Sequence, residues 1–174
     1  MANEEEYEQY IMLHRDFRRT YSQVYKHVMD FYPEPQKFIE EAAPEIDTYV
    51  KSISNNSPHP ESQGSFQTLS SFSRSVKEFA ADANEVFEEY KELHSQSGLY
   101  IKDVFRLKEK GHDANANPDE FTKLIPLLSK LISGFKRVER KTDETAKTLQ
   151  QLQSDWRKLK TNISDEKKGS AWPL

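Results

Sequence analysis

The chain contains no cysteine, which excludes disulfide frameworks, thiolate nucleophiles and Cys-ligated metal sites. It also has no run of about 18 apolar residues, the minimum for a helix that crosses a bilayer unaided. Gly (5) and Pro (8) are scarce in 174 residues. They gather between periodic apolar runs, which points to helices rather than to many short strands. Large aliphatic residues are sparse as well. Leu, Ile, Val and Phe make up about 22% of the chain, just above the range where disorder becomes the default, and the net charge is a modest −4. Such a chain buries a core only if its apolar residues fall on narrow stripes.

Recognisable site chemistry is scarce too. There is no His-Glu-x-x-His, no Gly-rich phosphate loop and no Gly-x-Ser-x-Gly elbow. A di-iron bundle needs paired Glu-x-x-His motifs; only Glu109 to His112 fits, at a helix end beside glycine. The sequence therefore names no catalytic, cofactor-binding or metal-ligating residue, and the expectation is a non-enzyme without a cofactor. His14 falls on a helical seam, where a polar residue fixes register, or titrates if neighbours move its pKa. Charge is uneven: residues 1–65 hold 6 basic and 12 acidic side chains, and residues 112–174 hold 12 and 9. That basic excess is too slight for a nucleic-acid binder. The acidic start, MANEEEYEQY, is neither a secretory signal nor a transit peptide, so cytoplasmic residence is expected.

What the chain has is a seven-residue repeat. Phe121, Leu124, Leu128, Leu131, Phe135, Val138, Thr142, Thr145, Leu149, Leu152, Trp156, Leu159 and Ile163 are spaced mainly by alternating steps of three and four. Leu69, Phe72, Val76, Phe79, Ala83, Val86, Tyr90, Leu93, Ser97, Tyr100, Val104 and Leu107 do the same across Gly98. Tyr7, Tyr10, His14, Phe17, Tyr21, Val24, Val28 and Phe31 repeat it near the start. Sustained heptads predict long helices that pack on one another. The expected fold is an all-α, elongated antiparallel helical bundle of three to four helices, with coiled-coil-like packing and two long helices forming a hairpin. The helices are expected at about 4–32, 35–54, 65–110 and 118–164, in one domain covering 1–165 with a flexible tail at 166–174. Asn117-Pro118-Asp119-Glu120 offers a helix start, and Pro126 a kink. A break or kink is expected at Pro44, and residues 55–65 read as a turn-rich linker.

The segment FTKLIPLLSKLISGFKRVERK (121–141) admits two readings. Its arc of Leu124, Ile125, Leu127, Leu128, Leu131, Ile132 and Phe135 is wider than two positions per heptad, as a helix with several neighbours requires. Burying those side chains stabilises by about 10–20 kcal/mol before entropy. The alternative is a membrane-surface or pore-forming role. In it Leu127 and Leu131 enter lipid while Lys136, Arg137, Arg140 and Lys141 meet anionic headgroups. The leading expectation is protein–protein interaction or self-association by an adaptor, structural or regulatory bundle. Its partner is another protein or a second copy, with an anionic membrane as the alternative and no nucleic acid. The candidate contact residues are Tyr7, Tyr10, Tyr21 and Tyr25, whose amphipathic rings anchor interfaces, and Val138 and Trp156, which bound the narrower stripe of the last helix.

Overall fold

The computed structural model describes residues 4–56, 64–112 and 118–168. Five helices account for nearly all of them: α1 (Glu4–Phe31), α2 (Pro33–Asn56), α3 (Gly64–Glu109), α4 (Pro118–Thr122) and α5 (Ile125–Lys168). Among the described residues there is no strand, and the helices pack as an all-α bundle.

Helix ends follow local chemistry. Pro33 and Pro118 occupy first helical positions, where a missing N–H costs nothing. Only Tyr32 separates α1 from α2. Of the break or kink expected at Pro44, the break does not occur: α2 runs through it as one element. α3 passes Gly98 without interruption and ends in a glycine cap. Gly111 has φ 82° and donates to the Lys108 carbonyl at 3.0 Å, while the His112 amide reaches the Leu107 carbonyl at 2.9 Å. This pair of bonds satisfies carbonyls that the helix end leaves open.

One boundary corrects the expectation. Instead of a single kinked helix over 118–164, the chain turns at Lys123 and Leu124 and separates the short α4 from α5. Proline has no N–H to give the Thr122 carbonyl and disfavours helical backbone at the residue before it. The Leu124 amide bonds instead to the Phe121 carbonyl at 3.0 Å. At its other end α5 runs to Lys168, four residues beyond the expected 164. Of the linker expected at 55–65, residues 55–56 and 64–65 are helical, as are residues 166–168 of the expected tail; residues 57–63, the cap at Asn117 and residues 169–174 lie outside the described residues.

The chain divides into two compact units. Unit 1 comprises Met1–Asp30 and Glu85–Thr142; unit 2 comprises Phe31–Asn84 and Asp143–Leu174. In unit 1, Tyr10 and His14 meet Tyr100, while Tyr21 meets His94, so α1 and α3 run antiparallel. Tyr10 meets Phe121, and Tyr21 meets Phe135, so α1 runs parallel with the α4–α5 segment. The core between them holds Tyr10, Phe17, Val24, Val28, Tyr90, Leu93, Tyr100, Val104, Phe121, Leu128, Leu131, Ile132, Phe135 and Val138. Unit 2 packs α2 with α3 and α5 around Phe38, Ala42, Ile46, Ile53, Leu69, Phe72, Val76, Phe79, Leu149, Leu152, Trp156, Leu159 and Ile163. Most seam positions of the repeat are therefore core positions. The polar ones adapt: Ser97 and Thr142 are buried, and each hydroxyl donates to the carbonyl four residues back at 2.8 Å.

Candidate interaction surfaces

The apolar arc of 124–135 faces the core of unit 1. Leu128, Leu131 and Phe135 have no exposed surface, Ile132 is buried, and Leu124, Ile125 and Leu127 pack against the same cluster. The basic residues after it are engaged with carboxylates. Arg137 Nε donates to Glu89 Oε1 at 2.6 Å and Lys141 Nζ to Glu89 Oε2 at 2.9 Å. Lys136 Nζ lies 3.9 Å from Asp16. Arg140 is exposed. Burial pushes the Glu89 carboxyl up, but the hydrogen bonds and charges of Lys141 and Arg137 outweigh it, and the net shift is downward. Of the lipid-facing candidates, Leu131 is enclosed and Leu127 is half-buried against the core.

The protein-facing candidates separate by burial. Tyr10 and Val138 belong to the core of unit 1, and Trp156 belongs to that of unit 2. Trp156 stacks on Phe72 at 5.5 Å, with the Lys160 ammonium over its ring. A side chain so enclosed cannot anchor a partner, which leaves Tyr7, Tyr21 and Tyr25. Tyr7 and Tyr21 are half-buried, and Tyr25 is exposed and stacked on Tyr21. The Tyr21 hydroxyl sits 2.8 Å from His94 Nδ1.

Tyrosines inside unit 1 form a polar chain through its core. The Tyr100 hydroxyl lies 2.6 Å from His14 Nδ1 and 3.2 Å from the Tyr10 hydroxyl. Burial pushes the Tyr100 and Tyr10 phenols above their usual range, and that of Tyr90 to about 12. Burial also lowers the His14 pKa, helped by the positive charges of Arg18 and Lys108. The Tyr100 hydroxyl thus bridges the His14 ring and the Tyr10 hydroxyl. The Tyr90 hydroxyl is buried among aromatic rings and has no hydrogen-bond partner among the described residues.

Surface apolar residues lie where the repeat does not look for them. Leu99 (58% exposed), Ile101 (36%) and Phe105 (60%) fall within seven residues of α3, and Met12 projects from α1. They are off the seam set by Leu93, Ser97, Tyr100 and Val104, and that departure was visible in the sequence. Unit 2 has a shallow open groove of about 350 Å³ between α3 and α5, lined by Thr68, Ser75, Asp155 and Asn162 among others. Among the described residues, no three His, Asp or Glu side chains converge as metal ligands would, and no helix is long and apolar enough to cross a membrane. Comparison of the chain with protein-family models, curated proteins and solved structures finds no match.

Proposed function

We propose that this is a non-catalytic helical-bundle protein that works by contact with another protein or with a second copy, in an adaptor, structural or regulatory role. The observation that carries this reading is the exposed pair Ile101 and Phe105, one turn apart on α3, with Leu99 exposed on another side of the same stretch. Single exposed apolar residues are ordinary, but a local group of large ones marks contact surfaces. Met and aromatic residues are enriched at such interfaces. Leu99 and Phe105 are more than half exposed, so core packing does not account for them. Cross-linking of the intact chain in its native extract tests the idea, with Phe105→Glu as the control. The expected result is a discrete adduct, with a protein or with itself, that the substitution removes. A chain that yields no adduct, yet sediments with phosphatidylserine vesicles, would move the reading to a membrane surface. That role would require unit 1 to open, because Leu128 and Leu131 are enclosed.

A further inference from the structure

The outward face of α3 in unit 1 carries a second periodic row. Glu85, Glu88, Glu92, Ser95, Leu99, Lys102 and Arg106 follow steps of three and four, and Lys110 continues the row in the turn after the helix. Such steps keep residues on one helical face. Every member of this row is exposed. Its charge reverses along its length: three carboxylates precede Ser95 and Leu99, and three cations follow. The row spans about 40 Å at the helical rise of about 1.5 Å per residue.

A row that is acidic in one half and basic in the other complements itself when inverted. We propose that it is the contact face of a two-fold symmetric homodimer in which α3 packs antiparallel on α3 of a second copy. This rests on the interaction reading above and names its partner. With the axis between Ser95 and Leu99, Leu99 lies over Ser95 of the second copy. Glu92 then faces Lys102 and Glu88 faces Arg106, while Glu85 lies one position out of register from Lys110. The two-fold repeats each pairing, as an isologous interface requires.

Three further observations fit. Ser95 and neighbouring Gly98 are small, and nothing lies within 4 Å of the position a Gly98 Cβ would take, so a second helix can approach closely. Leu99 and Phe105 supply exposed apolar surface beside the charges. The contacts these charges make within the chain are short-range and exposed: Glu88 with Lys91 at 2.7 Å, Arg106 with Asp103 at 3.6 Å, and Gln96 with Glu92 at 3.1 Å. Exposed pairs of this kind exchange at little cost. Other occupants fit less well. Parallel copies would set Glu against Glu and Lys against Arg, and an anionic bilayer would repel the acidic half.

Sedimentation of the full chain over a wide concentration range, at low and high salt, reads the association. The expected result is a reversible dimer that weakens as salt screens the pairs. A variant with Glu85→Lys, Glu88→Lys and Glu92→Lys has an all-basic row, and one with Lys102→Glu, Arg106→Glu and Lys110→Glu an all-acidic row. All six positions are exposed, and circular dichroism checks that each variant is helical. Each alone should self-associate more weakly by over about tenfold, and an equimolar mixture should restore a heterodimer. A wild-type chain that stays monomeric at every concentration overturns the dimer, as do variants that dimerise like wild type. A monomer that still gives a Phe105-dependent adduct with a different protein also overturns it, while leaving the interaction reading standing.

Discussion

Unit 1 and unit 2 are laid out on the same heptad stripes but fill them differently. Unit 2 closes around Ile46, Ile53, Leu69, Val76, Leu149, Leu152, Leu159 and Ile163, with Trp156 stacked on Phe72. Unit 1 buries Tyr10, Tyr90 and Tyr100 and threads hydrogen bonds between Tyr10, Tyr100 and His14. An apolar core draws its stability from the area it removes from water, and it tolerates rearrangement of similar volumes. A core containing hydroxyls must also match donors to acceptors, because an unmatched buried polar group is costly. The lesson is that one repeat can encode two cores of different sensitivity. Unit 1 is the one that should respond to hydrogen-bond chemistry and to pH.

The largest expected effects test whether both cores are packed. Leu131→Ala in unit 1 and Trp156→Ala in unit 2 should each cost about 3–5 kcal/mol by chemical denaturation. Hydrogen exchange should locate the first loss in residues 85–142 and the second in the residues of unit 2. A Leu131→Ala cost below about 1 kcal/mol would mean that unit 1 is not a packed core. A middle-sized effect sharpens the contrast. Tyr100→Phe strands His14 and Tyr10 and should cost about 1–3 kcal/mol, whereas Tyr90→Phe removes a hydroxyl with no partner and should be neutral or stabilising. Equal losses from the two substitutions would show that the hydroxyl chain does not distinguish this core.

The smallest effect is the pH dependence. His14 has its folded pKa lowered from the ordinary 6.5, first by burial and then by Arg18 and Lys108. The unfolded chain thus takes up the proton more readily than the folded one. The contribution of neutral His14 is complete above the ordinary value and is lost as pH falls from there towards the lower folded pKa. Stability of unit 1 should decline modestly as the buffer is acidified from neutral, and His14→Gln should flatten that slope. The groups facing His14 are Tyr10 and Arg18 on its own helix and Tyr100 and Lys108 on α3. An unchanged slope in the variant would assign the acid sensitivity elsewhere, with Glu89 the next group to examine.

Much of this architecture is legible in the sequence, because burial leaves a period that apolar residues display. Leu128, Leu131, Phe135 and Val138 show it in α5, as do Leu69, Phe72, Val76 and Phe79 in α3. The break at Lys123 and Leu124 is harder to place. Pro126 declares a disturbance, but which preceding residues turn depends on which carbonyls find other donors. Assigning the surface was harder still. Tyrosine suits both a core and an interface, so Tyr10 read like Tyr25, and only packing separates them. The charged row from Glu85 to Lys110 has the spacing of a seam. Hydrophobic periodicity does not reveal it because charges carry it, although their order of sign is plain in the sequence.

The central claim is that the ridge of α5 is enclosed within the single chain while the outer face of α3 is open. Because the protein has no cysteine, one introduced thiol can report on each position. Leu131→Cys and Leu99→Cys, each treated with a thiol reagent in dilute monomeric solution, should differ sharply. Position 99 should label at the rate of a free thiol, and position 131 only as fast as unit 1 unfolds. Comparable rapid labelling at both would show the ridge exposed and contradict the account.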